Sequence, residues 1–278
     1  MNADTFHGVP SPHPKTIPTP ILGADRLTVG YRNRKRITVT LRNIDVRIHA
    51  GELIAMVGSN GAGKSTLLRS LTGIQPPIEG HALLFGDPIV RVNRRQRAQH
   101  IALVLADRLE VANLTVRETV ALGRHPHTNW GGTLDPQDET VVENAMNATD
   151  VQRFADRPVA ELSDGERQRV AIARAVAQQP DVMVLDEPTA FLDPRARVRT
   201  ISLLRTLTRN GDFAAIVASH DLELVLPHAD QIWVVGDGTL ITGTLHEPVV
   251  QTALAAQLGA QIVTIGDRTH VIYEQETL

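Results

Sequence analysis

Residues 58–66 read Gly-Ser-Asn-Gly-Ala-Gly-Lys-Ser-Thr, and this stretch decides the fold. It contains the pattern Gly-x-x-x-x-Gly-Lys-Ser, in which backbone N–H groups surround the phosphates of a nucleoside triphosphate. Its glycines can adopt backbone angles that a Cβ forbids, and they let phosphate oxygens approach the main chain. We expect the lysine to contact the β- and γ-phosphates and the serine hydroxyl to hold Mg²⁺. The residues predicted to bind the nucleotide are Gly58, Ser59, Asn60, Gly61, Ala62, Gly63, Lys64, Ser65 and Thr66.

A strand pattern precedes this loop and a helix pattern follows it, as a phosphate-binding loop requires. Residues 53–57 form a short apolar run, which indicates a buried strand. Residues 65–71 have the pattern of a helix, and Gly73 suits its C-terminal end. Because the loop joins a strand to a helix N-terminus, the helix dipole favours a bound anion. We therefore predict a triphosphate-binding α/β core.

Composition limits the classes of protein that the chain can represent. Its 278 residues carry a net charge of −3, which gives no reason to expect nucleic acid as a partner. The chain has no cysteine, so a disulfide framework and a thiolate metal site are excluded. No apolar stretch approaches the roughly 20 residues that span a bilayer. Residues 1–22 are proline-rich and have no hydrophobic block, so we expect a disordered tail rather than a signal peptide.

The rest of the chain alternates strand and helix patterns. Apolar and polar residues alternate at 26–31 and 37–48, which predicts antiparallel strands. Residues 89–178 are richer in helical patterns and predict a mainly helical insertion. Apolar strands that alternate with helices predict a mainly parallel sheet. Its strands are expected at residues 53–57, 101–105, 181–185, 214–219 and 231–235.

Two carboxylates follow one of these strands directly. Residues 182–187 read Val-Met-Val-Leu-Asp-Glu. Ligands of open α/β sheets lie at the carboxyl ends of the strands. Phosphoryl transfer needs an acid to hold Mg²⁺ and a group to orient or deprotonate the attacking water. We assign the first role to Asp186 and the second to Glu187.

A second anion site is predicted at residues 162–168, Leu-Ser-Asp-Gly-Glu-Arg-Gln, which precede a strong helical pattern. Ser163 and Glu166 have the spacing of a capping box, in which each side chain accepts from the other's backbone N–H. Capping does not require Gly165, whereas the close approach of a ligand would explain it. A capped helix start with an adjacent glycine is suited to an anion.

Taken in order, these motifs resemble those of ATP-binding-cassette (ABC) transporter ATPases. The matching elements are the phosphate loop, a Leu-Ser-x-Gly-x signature at 162–166, the acidic strand end, and His220 after the strand at 214–219. Residues 190–193, Ala-Phe-Leu-Asp, are similar to the loop that carries an aspartate, here Asp193, across the dimer interface. The resemblance extends over about residues 24–248.

The resemblance implies a fold and a domain arrangement. We expect a P-loop NTPase core with a mainly parallel sheet, an N-terminal antiparallel β subdomain, and a helical subdomain that carries the signature at about residues 89–178. The ATPase domain is predicted to span residues 23–248. Residues 249–278 are expected to form a helix and two short strands.

The resemblance also implies roles for single residues, with ATP and Mg²⁺ as cofactors. Tyr31 has the position of the aromatic ring that stacks on adenine, and His220 that of the histidine that senses the γ-phosphate; Glu187 and His220 would be the catalytic residues. The family forms head-to-tail homodimers, which ATP closes and hydrolysis opens. The residues expected to contact the ATP bound by a second copy are Ser163, Asp164, Gly165, Glu166 and Asp193.

A narrower resemblance lies at residues 120–127, Val-Ala-Leu-Gly-Arg-His-Pro-His. This segment is similar to one frequent in ATPases that energise the import of iron–siderophore, haem and cobalamin complexes. It implies polytopic permease subunits, an indirect role for a solute-binding protein, no nucleic-acid partner, and a peripheral location at the cytoplasmic face of the cell membrane. For His125 and His127 a surface loop is favoured over a metal site, because no acidic or third ligand accompanies them.

Three other functions are alternatives. An exporter is possible, because ATP-binding subunits rarely reveal the direction of transport. A soluble cassette of DNA repair or translation fits less well, because the chain has neither an inserted coiled coil nor a second cassette. A non-hydrolysing regulatory cassette is suggested by one departure: the glutamine usual after the strand at 101–105 is missing. Ala106-Asp107-Arg108 stand there instead, and we expect Asp107 to replace it as an oxygen ligand of Mg²⁺.

The signature departs from the family pattern as well. Asp164 and Glu166 stand where glycine and glutamine are commonest. Added anions near a γ-phosphate weaken its binding unless their side chains turn away. A capping role turns Glu166 back toward Ser163.

Overall fold

The structure is a computed structural model that describes residues 19–33, 36–105, 113–128, 132–211, 213–265 and 268–273. Residues 1–18 of the predicted tail and Asp107 lie outside the described residues. The strands are β1 (Leu22–Asn33), β2 (Arg36–Ile48), β3 (Leu53–Val57), β4 (Glu79–Leu84), β5 (Asp87–Pro88), β6 (Ile101–Val104), β7 (Val182–Asp186), β8 (Ala214–Ala218), β9 (Gln231–Gly236), β10 (Thr239–Gly243), β11 (Ala260–Ile265) and β12 (Arg268–Tyr273). The α-helices are α1 (Lys64–Leu71), α2 (Arg94–His100), α3 (Val116–Ala121), α4 (Pro136–Ala148), α5 (Asp164–Ala177), α6 (Pro194–Asn210), α7 (Leu222–Val225) and α8 (Pro248–Leu258).

The central sheet has the strand order β10-β9-β3-β8-β7-β6. Strands β9, β3, β8, β7 and β6 run parallel, and β10 pairs with β9 in the antiparallel direction. Every residue of β3 and of β8 is buried, as expected for inner strands of a parallel sheet. The mainly parallel sheet predicted from the sequence is confirmed. Its carboxyl edge carries the ends of β3 and β7, and therefore both motifs that follow them.

The N-terminal strands form a separate antiparallel sheet of order β2-β1-β4-β5. Leu27 and Leu41 on its inner face are fully buried in one cluster with Leu67 and Leu71 of α1. Full burial of a leucine side chain stabilises the fold by about 1.5–3 kcal/mol. This packing fixes α1, and with it the phosphate loop, between the two sheets. The antiparallel subdomain predicted from the alternating pattern is confirmed.

Helices α3, α4 and α5 surround a core of their own, which includes Val120, Met146 and Val170. Each of these helices begins with a capping box, and the box at Ser163 and Glu166 is the one predicted from the sequence. The range 89–178 also contains β6, which pairs with β7 at the edge of the central sheet. The predicted helical range thus includes one strand of the central sheet, and α3, α4 and α5 follow that strand in the chain.

After α8, strands β11 and β12 pair with each other as a two-stranded antiparallel sheet. Helix α8 contacts β9 and β10, so it covers one end of the central sheet. Within the part of the chain that the structure describes, no helix combines the length and the apolar character needed to cross a bilayer.

Candidate nucleotide-binding site

The phosphate loop joins β3 to α1, and two of its glycines are required by space. Gly58 has a φ of 157°, and a Cβ at this position would lie 2.3 Å from the carbonyl oxygen of Val235. Gly63 has a φ of 111°, and its Cβ would lie 2.4 Å from Cγ2 of Thr40. Gly63 is also the N-cap of α1 and offers no side chain to bond the first N–H groups of that helix. These N–H groups are therefore left for an anion at the positive end of the helix.

Lys64 places its charge over the same loop. Its side chain is buried, and Nζ donates to the carbonyl oxygens of Gly58 at 2.7 Å and of Ser59 at 3.2 Å. Burial lowers the pKa of Lys64, while the nearby Glu187 and Asp186 act in the opposite direction. A phosphate that enters the loop can thus take over hydrogen bonds that the ammonium group now gives to the backbone.

Ser65 and Asp186 meet where the first turn of α1 approaches the end of β7. The hydroxyl of Ser65 donates to Oδ2 of Asp186 at 3.0 Å. Both are hard oxygen ligands, and Mg²⁺ is usually held by one or two carboxylates together with phosphate oxygens and water. In the ranges that the structure describes, no group of three or more His, Cys, Asp or Glu could hold a metal ion. Ser65 and Asp186 are a pair of oxygen ligands that could hold Mg²⁺ together with the phosphates of a nucleotide.

Glu187 and His220 face each other at the carboxyl ends of β7 and β8. Glu187 has a left-handed backbone with a φ of 51°, and its N–H donates to the carbonyl oxygen of Ala218 at 2.9 Å. A non-glycine residue in this region costs free energy, and such residues cluster at functional turns. Nε2 of His220 lies 3.0 Å from Oε1 of Glu187, without the alignment of a hydrogen bond. Burial raises the pKa of Glu187, and His220 and Lys64 oppose this rise.

One cleft of about 350 Å³ collects most of the predicted site. The predicted residues that line it are Tyr31, Ser59, Asn60, Gly61, Gly63, Lys64, Ser65, Thr66, Asp186, Glu187 and His220. The hydroxyl of Tyr31 lies 2.6 Å from Oγ1 of Thr66, and Tyr31 is 51% exposed. Its ring is thus held at the rim with surface left for a planar ligand. Ala62 instead packs against the core.

Four other predicted residues lie at a second, separate cleft of about 250 Å³ between the starts of α5 and α6. Ser163, Gly165, Glu166 and Asp193 line it, and none of them lines the first cleft. Asp164 is not among the lining residues, and Oδ1 of Asp164 accepts from Nη2 of Arg167 at 2.6 Å. A single copy of the chain therefore does not bring the signature to its own phosphate loop.

Glu166 is turned back onto the helix start, as its capping role predicted. Its Oε2 accepts from the backbone N–H of Ser163 at 2.9 Å and from the Ser163 hydroxyl at 2.8 Å. These hydrogen bonds lower the pKa of Glu166. Asp193 has a similar role at α6, where Oδ1 accepts from the N–H groups of Arg195 and Ala196, both at 2.9 Å.

Seven residues that line the two clefts were not predicted from the sequence. Thr40 of β2 lines the first cleft, opposite Gly63. The others line the second cleft and are mostly arginines, namely Arg153, Arg169, Arg195 and Arg199, together with Ala196 and Thr200. Only the arginine-rich run at 195–199 is visible as a local signal, and nothing in the sequence indicates which of its side chains face a cleft.

The segment at residues 120–127 is more buried than the predicted surface loop. His125 is exposed, but Nε2 of His127 lies 2.9 Å from the carbonyl oxygen of Gln178. Arg124 is only 6% exposed, and its Nε donates to Oδ1 of Asp138 at 2.8 Å. Arg124 and His127 therefore tie the helical part together, and His125 alone of the two histidines is exposed.

Known proteins have similar sequences, and solved structures have a similar fold. The profile of the ABC transporter family matches residues 41–190. The chain is 34% identical to the ferric enterobactin transport ATP-binding protein FepC of Escherichia coli, over 88% of this chain and 90% of that protein. It is 44% identical to the cobalamin import ATP-binding protein BtuD of Halobacterium salinarum over 72% of this chain, and it spans 50% of that protein's length. Among solved structures, an ABC transporter assigned to the metal-chelate type, in an inward-facing conformation, has a TM-score of 0.77 at 25% identity, over 91% of this chain and 97% of that chain.

Proposed function

Because this chain belongs to the ABC transporter family of ATP-binding proteins, we propose that it hydrolyses ATP to energise the import of an iron complex. The cargo would be a siderophore, haem or similar metal chelate, taken across the cytoplasmic membrane. The observation that carries the proposal is the first cleft, where the Ser65–Asp186 pair and the Glu187–His220 pair face one phosphate loop. The relatives' names supply the choice of cargo, which the cleft itself does not determine.

In this proposal the loop holds the β- and γ-phosphates of ATP, and Lys64 turns from the loop carbonyls to the phosphate oxygens. Ser65 and Asp186 would hold Mg²⁺, which neutralises phosphate charge when bound. Glu187 orients the attacking water and accepts its proton. His220 lies beside Glu187, where its imidazole can contact the γ-phosphate. The exposed ring of Tyr31 stacks on adenine.

We also propose that two copies form the active unit. The signature cleft of each copy would close over the ATP bound in the first cleft of the other, since the two clefts of one copy share no lining residue. The dimer would act on polytopic permease subunits, and through them on a solute-binding protein. In this arrangement the chain would lie at the cytoplasmic face of the membrane.

For Asp107 we propose the Mg²⁺-ligand role of the missing glutamine. Asp107→Ala is expected to lower Mg²⁺-dependent turnover while ATP affinity stays the same, because the nucleotide is held mainly by the phosphate loop. Hydrolysis and ATP binding would be titrated against Mg²⁺ in the variant and the parent. An unchanged rate at every Mg²⁺ concentration would remove Asp107 from this role.

Transport by vesicles that contain the chain and its permease tests the proposed function directly. We expect ATP inside the vesicles to support uptake of an iron–siderophore or haem complex, and uptake to stop with Glu187→Gln. Cobalamin offered at the same concentration serves as the alternative cargo, because one relative is named for it. Uptake of cobalamin alone, or ATP-driven release of the iron complex, would contradict the proposal.

A further inference from the structure

The second cleft carries more positive charge than a helix-capping site needs. Arg153 and Arg169 line it together with Arg195 and Arg199, in the first turns of α6. Arg153 and Arg169 share the carboxylate of Asp150, at 3.6 and 3.0 Å. Arg195 and Arg199 are exposed, and among the described residues they form no ion pair.

The positions of Arg195 and Arg199 are unfavourable for the helix itself. After the N-cap Asp193 the first turn of α6 has no acidic residue, and Arg195 in that turn places a positive charge near the positive end of the helix dipole. Arg195 and Arg199 are also four residues apart, and like charges at this spacing destabilise a helix by about 0.2–0.5 kcal/mol. Arg197, between them, is different, since it pairs with Asp221 at 2.9 Å. Arg195 and Arg199 therefore have no stabilising partner of their own within the described chain.

The two carboxylates that line the cleft with these arginines are already engaged. Glu166 accepts two hydrogen bonds from Ser163, and Asp193 accepts from the first N–H groups of α6. The cleft thus offers two unpaired guanidinium groups beside the start of α5. This combination suits a ligand with several negative oxygen atoms, because guanidinium groups bind phosphate through paired hydrogen bonds.

We propose that Arg195 and Arg199 bind the terminal phosphate of the ATP that the phosphate loop of a second copy holds. In this role they offset the carboxylate that Glu166 adds to the signature. The inference rests on the proposed function, since it requires the ATP-bound dimer. It adds two phosphate-binding residues to the site, outside both the phosphate loop and the signature.

The test uses the full chain with Glu187→Gln, which should retain ATP and keep the dimer closed. Arg195→Ala/Arg199→Ala is added to it and compared with Arg91→Ala/Arg209→Ala, which removes two exposed arginines that line neither cleft. We expect the substitution of Arg195 and Arg199 to raise the ATP concentration for half-maximal dimer formation by at least about tenfold, as the loss of a charged hydrogen bond implies. The control pair should leave it unchanged.

Two further measurements separate a phosphate contact from other causes. ATP binding by single copies, at protein concentrations too low for dimers, should be equal in all variants. Adding Glu166→Gln to the cleft variant should restore part of the lost ATP dependence, because one negative charge then leaves the site.

Three results would overturn the inference. Equal ATP dependence of the cleft variant and its control would show that the arginines do not bind the nucleotide. An equally large loss in the nucleotide-free self-association of the cleft variant would assign them to protein–protein contact. Failure of the Glu187→Gln parent to dimerise at any ATP concentration would overturn the proposed function first, and the inference with it.

Discussion

At the scale of single residues, the proposed hydrolysis depends on how Glu187 is held. Its left-handed backbone and its hydrogen bond to β8 fix the carboxylate beside His220 and opposite the phosphate loop. Few other side chains can serve as a base here, since the carboxylate of Asp186 accepts from Ser65. Glu187 is therefore the residue at which binding and chemistry can be separated.

Glu187→Gln is expected to bind ATP as the parent does but to hydrolyse it about 10²–10⁴-fold more slowly, the usual contribution of a general base. The amide keeps the size of the side chain and cannot accept the proton. Steady-state phosphate release and ATP titration would be measured on the same preparations. Glu139→Gln, an exposed position of α4, is the matched control and should keep the parent rate. Normal turnover of Glu187→Gln would exclude it as the base.

The pKa of Glu187 gives a prediction about pH. Burial raises this pKa above its ordinary value, and a general base acts only when it is deprotonated. The acid limb of kcat/KM should therefore lie above pH 4.5, the ordinary value, with activity increasing as pH rises through it. The charge of His220 is the largest effect that lowers the pKa of Glu187. The acid limb of kcat/KM for His220→Ala should therefore lie at still higher pH. A limb at or below pH 4.5 in the parent would contradict the assignment.

The residues that could be predicted from the sequence are those whose role is set by local chemistry. Gly58 and Gly63 are fixed by backbone angles, and Asp186 and Glu187 by their place at the end of an apolar strand. Thr40 could not be predicted, because it reaches the cleft only through the packing of β2 against the loop.

At the scale of elements, the buried ion pair of Arg124 and Asp138 connects three helical segments. Beyond Asp138, Nη1 of Arg124 donates to the carbonyl oxygen of Ala177 at 2.8 Å and to Oε1 of Gln179 at 2.9 Å. The contacts reach the C-terminal end of α5, whose N-terminal end carries Ser163. Residues 120–127, whose sequence is similar to a segment of chelate importers, thus have a structural role in this fold.

Arg124→Ala is expected to destabilise the protein by about 3–5 kcal/mol, because it leaves the buried carboxylate of Asp138 without its partner. The free energy of unfolding would be measured by denaturant titration. Arg117→Ala is the control, since it breaks an exposed pair with Glu143, and such pairs contribute about 0–1 kcal/mol. Equal losses for the two variants would show that the Arg124 pair is not the connection described.

Most elements could be predicted because their hydrophobic periodicity is strong. The parallel strands β3, β7, β8 and β9 are short apolar runs, and α5 begins at a recognisable capping box. Helix α2 is less evident, since its seven residues include no buried side chain. The helix has no amphipathic pattern, so the capping box at Asn93 is the feature of the sequence that indicates where it begins.

At the scale of the whole molecule, the central feature is the separation of the two clefts. The phosphate loop lies between the sheets, whereas the signature lies at the junction of the helical segment with α6. The sequence indicates both motifs but not their separation, which depends on the three-dimensional path of α5 and α6. In the proposed dimer, ATP bound in one copy is covered by the signature cleft of a second copy.

The most direct test of this account is the mass of the Glu187→Gln chain with and without ATP, in a matched pair of Ser163 variants. Aspartate and asparagine both cap a helix well, so Ser163→Asp and Ser163→Asn should both keep the start of α5, although only asparagine can donate to Glu166 as the serine hydroxyl does. Only the aspartate adds a negative charge where the partner's γ-phosphate would lie. We predict twice the single-chain mass of 30.3 kDa with ATP for the parent and for Ser163→Asn, and a single chain for Ser163→Asp with unchanged ATP binding. A dimer of equal stability in all three proteins would contradict the composite site.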